Sequence, residues 1–155
     1  MVEHLAETLD IGPGTEVFEV ACAAGQFLIP LHENGFVVGG LDADPVLVAE
    51  ARAAMPGGQF ASGSPAELDP AQAWQVVVCR AFATFPDVDY ARGVLARMAA
   101  KATHAVALLD LPEARYDRRW ILHAFAEVGF SAVQMENMKA EGGENEARIN
   151  VFARL

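Results

Sequence analysis

Residues Val17 to Leu28, VFEVACAAGQFL, read as a buried strand that runs into a turn of small residues and then into a helix. A turn of this kind, placed after a first strand, is how α/β folds bring backbone N–H groups up to a nucleotide. Such turns usually carry three glycines, and this one carries only Gly25. A pyrophosphate needs the missing glycines, because it must approach the helix N-terminus closely, so the turn argues against a nicotinamide dinucleotide. An alanine there costs about 1–2 kcal/mol only where the backbone takes a positive φ. Elsewhere its methyl lines a pocket without penalty, and on that reading the turn is degenerate but usable.

Working outward, short runs rich in β-branched residues recur: EVFEVA from Glu16, FVVGGL from Phe36, GQFAS from Gly58, QVVVC from Gln75 and HAVALL from His104. Helical spacing separates them. Leu47, Val48, Ala51 and Met55 share one face, opposite Glu50 and Arg52, and Asp44 with Pro45 supplies an N-cap and a favoured first residue. Val94, Leu95, Met98 and Ala102 form a second stripe. Trp120, Ile121, Phe125 and Val128 form a third, which Gly129 ends in the left-handed conformation. Alternating strands and helices with short connections predict a parallel sheet covered on both faces. At the end of the chain, SAVQMENM and ARINVFARL are joined by the polar KAEGGENE and should pair as an antiparallel hairpin. The expectation is an α/β fold in one domain over 1–155: a doubly wound, Rossmann-like, mostly parallel seven-stranded sheet with a C-terminal antiparallel hairpin.

Composition narrows the function. The 155 residues are 53% hydrophobic and 21% charged, with a mean hydropathy of +0.21, which predicts apolar surface for a partner to cover. The formal net charge is −10, and no stretch gathers the Lys and Arg that a phosphate backbone requires, so nucleic acid is not the expected partner. The N-terminus MVEHLAETLD has neither a basic nor an apolar signal region, and the apolar run AVALL at Ala105 to Leu109 is too short to span a bilayer. A cytoplasmic protein without membrane contact is expected. Two cysteines make no disulfide framework, and His4, His32, His104 and His123 lack ligand spacing, so no metal is expected.

In a doubly wound sheet, ligands bind beyond the carboxyl ends of the strands where strand order reverses. A carboxylate that meets a ribose is expected roughly 20 residues beyond the first turn. Asp42, in GGLDADP, stands there. Trp74, Phe82 and Phe85 fit a pocket wall or plain core equally well. His104, His123 and Tyr116 read as structural rather than as bases. Arg80, directly after the fourth strand, is placed either to meet an acceptor or to cap the strand end.

These motifs, in this order, resemble the class I S-adenosylmethionine-dependent methyltransferases over nearly the whole chain. EVACAAG resembles the family's first motif, with Glu19 as its acid and Gly25 as its last glycine. GLDADP resembles the second, GSPAEL from Gly63 the third, AWQVVVCRAFATFPD the fourth, and FAEVGFSAV with the closing strands the family's end. The chain departs from the family at Ala21 and Ala23, where glycines are usual, at Ser64 and Gln75, where Asp is usual, and in AAKATHAV, which lacks a glycine pair. Cys79 lies outside the D-A-P-C context of the cysteine-dependent RNA-modifying branches.

The resemblance implies S-adenosylmethionine as cofactor and methyl transfer to a small-molecule acceptor. It implies that Glu19 and the backbone of Ala21, Cys22, Ala23 and Gly25 hold the methionine end, Asp42 and Ala43 the ribose, Ser64 and Pro65 the adenine edge, and that the Cys79 backbone closes the site. Glu19 also reads as a buried acid satisfied by the amides of the turn. No catalytic base is assigned. The alternative is a catalytically silent methyltransferase-like module that docks a partner. Family members build a lid from an N-terminal extension and an insertion after the fifth strand. Here Met1 to Thr15 and the short DLPEARY stand in their place, so a homodimer or a complex with a lid-bearing partner is expected, with CRAFATFPD and DLPEARY near the contact.

Overall fold

A computed structural model describes residues 1–138 and 146–155. Seven strands, β1 (Glu16–Val20), β2 (Val37–Asp42), β3 (Gln59–Ser62), β4 (Trp74–Cys79), β5 (Ala102–Pro112), β6 (Ala132–Asn137) and β7 (Arg148–Arg154), form one sheet in the order β3-β2-β1-β4-β5-β7-β6. The first five are parallel. The last two pair antiparallel as expected, and β7 inserts between β5 and β6. The connection between them, 139–145, lies outside the described residues.

Among the described residues five α-helices cover the sheet: α1 (Val2–Leu9), α2 (Leu28–Glu33), α3 (Pro45–Ala54), α4 (Val88–Lys101) and α5 (Arg118–Glu127). Alternation along each strand makes two cores. Val17, Val38, Val76 and Val78 face Leu5, Leu9, Leu28, Val48 and Ala51 from α1, α2 and α3. Phe18, Val20, Val77, Val106 and Leu108 face Val94, Leu95, Met98, Ile121 and Phe125 from α4 and α5. Three helices start on an aspartate whose carboxylate accepts from the first turn: Asp44 from Val46 N–H at 2.9 Å, Asp87 from Tyr90 N–H at 2.7 Å and Asp117 from Trp120 N–H at 2.8 Å. Gly129 takes a φ of +95°, as its place after α5 predicts.

Two differences from the sequence reading have local causes. Helix α4 passes straight into β5, so Ala102 is a strand residue rather than the end of a helical stripe. β5 also runs past Leu109, because a bulge at Asp110, with φ 58°, keeps it in register with β7, and the Asp110 N–H is taken up by Asn150 Oδ1 at 3.0 Å.

The crossover from β3 to β4 carries no α-helix, only a 3-10 turn at Pro65–Glu67. The sheet face it leaves bare is filled by Trp74, whose ring packs on Phe18 at 5.2 Å, and by Lys101. The Lys101 ammonium lies 4.8 Å from the Phe18 ring and donates to the carbonyls of Asp69 and Gln72 at 2.8 Å each, which fastens the crossover. A groove of about 300 Å³ remains beside them. Among the described residues no helix is long and apolar enough to cross a membrane, and no three His, Cys, Asp or Glu side chains gather as metal ligands.

Gly39 is where the Trp74 packing is tightest. A Cβ there would lie 2.5 Å from Trp74 Cη2 and 2.7 Å from the Gln59 carbonyl oxygen, whereas one at Gly93 in α4 would meet nothing within 4 Å. Gly39→Ala should therefore destabilise by about 1–3 kcal/mol through overpacking. Gly93→Ala should stabilise by about 1 kcal/mol through helix propensity. Urea unfolding of the two variants beside the parent checks both signs.

Candidate functional site

Strand order reverses between β1 and β4, so the turn after β1 opens on the crevice at the switch point. That turn winds through three left-handed residues: Ala21 at φ 59°, Ala23 at φ 50° and Gly25 at φ 83°. The alanines therefore occupy backbone conformations that glycine adopts freely, so of the two cases the sequence left open it is the strained one that applies to both. Short bonds keep the turn wound in spite of the strain. The Cys22 N–H donates to the Leu41 carbonyl at 3.0 Å, the Gly25 N–H to the Cys22 carbonyl at 2.9 Å, and the Leu28 and Ile29 N–H groups to the Gly25 carbonyl.

Asp42 ends β2 and braces the same turn. Its Oδ2 accepts from the Ala23 N–H at 2.8 Å, and its Oδ1 from the Asp44 N–H at 2.9 Å. Each carboxylate oxygen keeps a further lone pair. Exposed Ala43 follows, and the Gly63 N–H donates to the Asp42 carbonyl, which draws the end of β3 alongside. Ser64 there caps the 3-10 turn that begins at Pro65, accepting from the Ala66 N–H at 3.3 Å, and shares a hydrogen bond of 3.2 Å with the Tyr90 hydroxyl of α4.

Glu19 lies beneath the turn and is 1% exposed. The backbone amides of the turn do not satisfy it. Its Oε1 accepts from Arg80 Nε at 3.1 Å, and its Oε2 has no partner. Burial pushes its carboxyl up from 4.5 to about 7 against the opposing Arg80 charge, with a smaller upward push from Asp42. Arg80 is the partner of Glu19 through Nε, and its guanidinium stacks over Phe27 at 5.0 Å. This pairing was legible in the strand alternation, since Glu19 shares a face with Val17, and Arg80 with Val76 and Val78, on neighbouring strands.

The other residues singled out from the sequence divide clearly. Glu19, Ala21, Cys22, Ala23, Gly25, Asp42 and Ala43 ring the ends of β1 and β2, and Ser64 and Pro65 stand on the adjoining rim. The Cys22 side chain is buried and packs under β2, where a Cβ at Gly40 would lie 2.7 Å from its Sγ. Cys79 is buried in the α4 and α5 core, so only its backbone reaches the rim. Burial pushes both thiols up to about 12, which leaves them inert at neutral pH.

Phe82 and Phe85 are core residues 5.0 Å apart, and Trp74 lies at the far end of β4. His104 donates to the Leu9 carbonyl at 2.8 Å, and exposed His123 pairs with Glu127. Tyr116 is buried, and its hydroxyl donates to the Phe82 carbonyl at 2.8 Å. Arg115 donates to the Ala83 and Phe85 carbonyls. Together these two side chains staple the segment after β4 to the segment after β5, which the sequence did not show. Gln75, in the place of an Asp, accepts from the Glu16 N–H at 2.9 Å.

Sheet order, crevice and strand-end carboxylate together make this the class I methyltransferase fold. Magnesium protoporphyrin IX methyltransferase of Synechocystis, solved with bound S-adenosylhomocysteine, superposes with a TM-score of 0.83 over 99% of this chain and 80% of its own, at 18% identity. The N-methyltransferase NodS of Bradyrhizobium japonicum gives 0.77 over 99% and 92%, at 16% identity. In sequence, an uncharacterized methyltransferase of Synechocystis is 34% identical over 62 residues, a stretch that covers 40% of this chain and 29% of that protein. No family model matches the chain.

Two outcomes follow from the turn and its buried acid. Replacing Ala21 or Ala23 by glycine removes a left-handed penalty of about 1–2 kcal/mol while restoring unfolded-state freedom of about 0.4–1 kcal/mol, so each variant should gain a few tenths to about 1 kcal/mol. An unchanged or lowered urea midpoint would contradict the strain. Glu19 holds its proton to higher pH in the folded than in the unfolded state. Its contribution is therefore complete below 4.5 and is lost as pH rises through about 7. The loss is on the order of 3 kcal/mol. Glu19→Gln should remove that decline, read as the difference between parent and variant in unfolding free energy from pH 4 to 8.

Proposed function

We propose that the chain is an S-adenosylmethionine-dependent methyltransferase of the cytoplasm that acts on a small-molecule acceptor. The observation that carries this reading is the bond from the Ala23 N–H to Asp42. It joins the turn after β1 and the carboxylate after β2 into one rim at the switch point. The neighbours support it: the magnesium protoporphyrin IX methyltransferase was solved with S-adenosylmethionine as well as with its product, and the amino pentose methyltransferase CalS10 of Micromonospora echinaspora with S-adenosylmethionine.

The residues fit that cofactor. Buried, unpartnered Glu19 Oε2 suits an ammonium group, and Asp42 keeps lone pairs for ribose hydroxyls. Ala43 would sit beside the ribose, Ser64 and Pro65 along the adenine edge, and the backbone of Ala21, Cys22, Ala23, Gly25 and Cys79 around the methionine end. When bound, S-adenosylmethionine supplies a methyl group already activated by its sulfonium. The chain's task is then to hold the acceptor in line at near-attack distance, and a general base is needed only where the acceptor must lose a proton.

A net charge of −10 disfavours a polyanionic acceptor. Arg115 and Tyr116 tie the segment CRAFATFPD to DLPEARY, and we place the contact with a partner near these two segments. A second copy or a lid-bearing partner seated there would exclude water from the crevice.

Calorimetric titration with S-adenosylhomocysteine tests the reading. The parent should bind, and Asp42→Ala should lose about 1.5–3 kcal/mol, roughly 10–150-fold in affinity, with its fold intact. An absence of heat at millimolar ligand would overturn the enzyme and leave a silent docking module. Equal affinity in Asp42→Ala would overturn the ribose assignment alone.

A further inference from the structure

The helix-free crossover from β3 to β4 leaves two buried donors that the protein does not match, and both belong to side chains lining the groove of about 300 Å³. Trp74 is 2% exposed, and its indole Nε1–H has no acceptor among the described residues. Lys101 is 4% exposed. Its ammonium has three N–H groups to place. Two go to the Asp69 and Gln72 carbonyls, and the third has no oxygen acceptor among the described residues. Ammonium and indole lie against the same ring, 4.8 Å and 5.2 Å from the centre of Phe18.

The other polar side chains on the rim are engaged with each other or with their own turn. Gln72 Nε2 donates to Gln59 Oε1 at 2.7 Å, and Asp69 Oδ1 accepts from the Ala71 N–H at 2.8 Å. No carboxylate pairs with Lys101 among the described residues, and two carbonyls with a ring face offer a buried cation only partial charges. What complements the groove is therefore an acceptor, and a negatively charged one.

The rest of the lining fixes the kind of molecule that carries this acceptor. Phe18, Leu41, Leu68 and the Trp74 ring make it apolar. Small-molecule pockets span roughly 300–1,000 Å³ and combine such walls with a few convergent polar groups, so this one has room for a small ring system. Two aromatic faces favour a flat ring over a flexible chain. The net charge of −10 limits the occupant to a single negative charge.

We propose that this groove is a second ligand site that binds a small aromatic carboxylate, its ring on Phe18, Leu41 and Trp74 and its carboxylate accepting from Lys101 and from the Trp74 indole. No residue of its lining is among those assigned to the cofactor, and Trp74 and Gln59 open β4 and β3 at the end of the sheet away from the turn after β1. The site is thus separate from the crevice and stands independently of the activity proposed there.

The test is calorimetric titration with 2-naphthoate and with 2-naphthylmethylammonium, which carries the same ring and the opposite charge. The parent should bind 2-naphthoate at millimolar concentration or below and should not bind the ammonium. Lys101→Met keeps the aliphatic stem and should weaken 2-naphthoate roughly tenfold or more. Because that variant also frees the crossover carbonyls, a second one leaves Lys101 and its bonds in place: Ala61→Phe, at an exposed position in the lining, should fill the groove and abolish 2-naphthoate binding while S-adenosylhomocysteine affinity stays at the parent value. The chain has two tryptophans, so Trp120→Phe assigns the indole N–H resonances, and that of Trp74 should move on addition of 2-naphthoate while that of Trp120 stays.

Equal binding of the two naphthalenes overturns the proposal in favour of an apolar groove indifferent to charge. A parent that does not bind 2-naphthoate overturns it, as does unchanged affinity in Ala61→Phe or a still Trp74 resonance. Competition between 2-naphthoate and S-adenosylhomocysteine overturns it by putting the carboxylate in the crevice.

Discussion

One hydrogen bond, from the Ala23 N–H to the Asp42 carboxylate, sets the shape of the crevice. Without it the turn after β1 would still be tied to the end of β2 by the Cys22 N–H bond to the Leu41 carbonyl, but neither the Ala23 amide nor the strand-end carboxylate would be fixed against the other. With it, a charged acceptor fixes an amide in a strained turn, and charge assistance makes the tie stronger than an ordinary backbone bond. The second Asp42 oxygen does the same for Asp44, which in turn caps α3, so one carboxylate links the turn, the rim and a helix start. The buried acid below depends on this frame, since the wound turn separates Glu19 from water.

Most of the fold was legible because the central strands β1, β2, β4 and β5 lie in nearly continuous buried runs and the longer helices α3, α4 and α5 open on a chemical signal. Asp44, Asp87 and Asp117 cap helices, Gly129 ends one, and the period of the apolar residues switches cleanly between them. What stayed hidden was of another kind. The bulge at Asp110 depends on Asn150, which comes from a distant strand, and no local pattern announces it. The staple of Arg115 and Tyr116 depends on carbonyl oxygens, which sequence does not display. The role of Glu19 was half visible: its burial follows from strand parity, but its partner could be found only by comparing parity across two strands.

The crossover from β3 to β4 shows how a small α/β chain covers a face without a helix. Trp74 and the aliphatic stem of Lys101 provide the apolar cover, and the ammonium ties down carbonyls that a helix would otherwise have satisfied internally. This arrangement lowers the Lys101 pKa by burial, a cost tolerated because the charge is shared among two carbonyls and an aromatic face.

The left-handed alanines also govern how the turn meets a ligand. Glycine at Ala21 and Ala23 would relax the folded backbone, yet it would also let the turn wander among conformations that a methyl forbids. Much of the ordering entropy that a flexible turn loses on meeting a ligand is here already lost in the folded chain. The protein gives up some global stability and holds a stiff recognition surface, so a ligand meets a mould rather than a hinge.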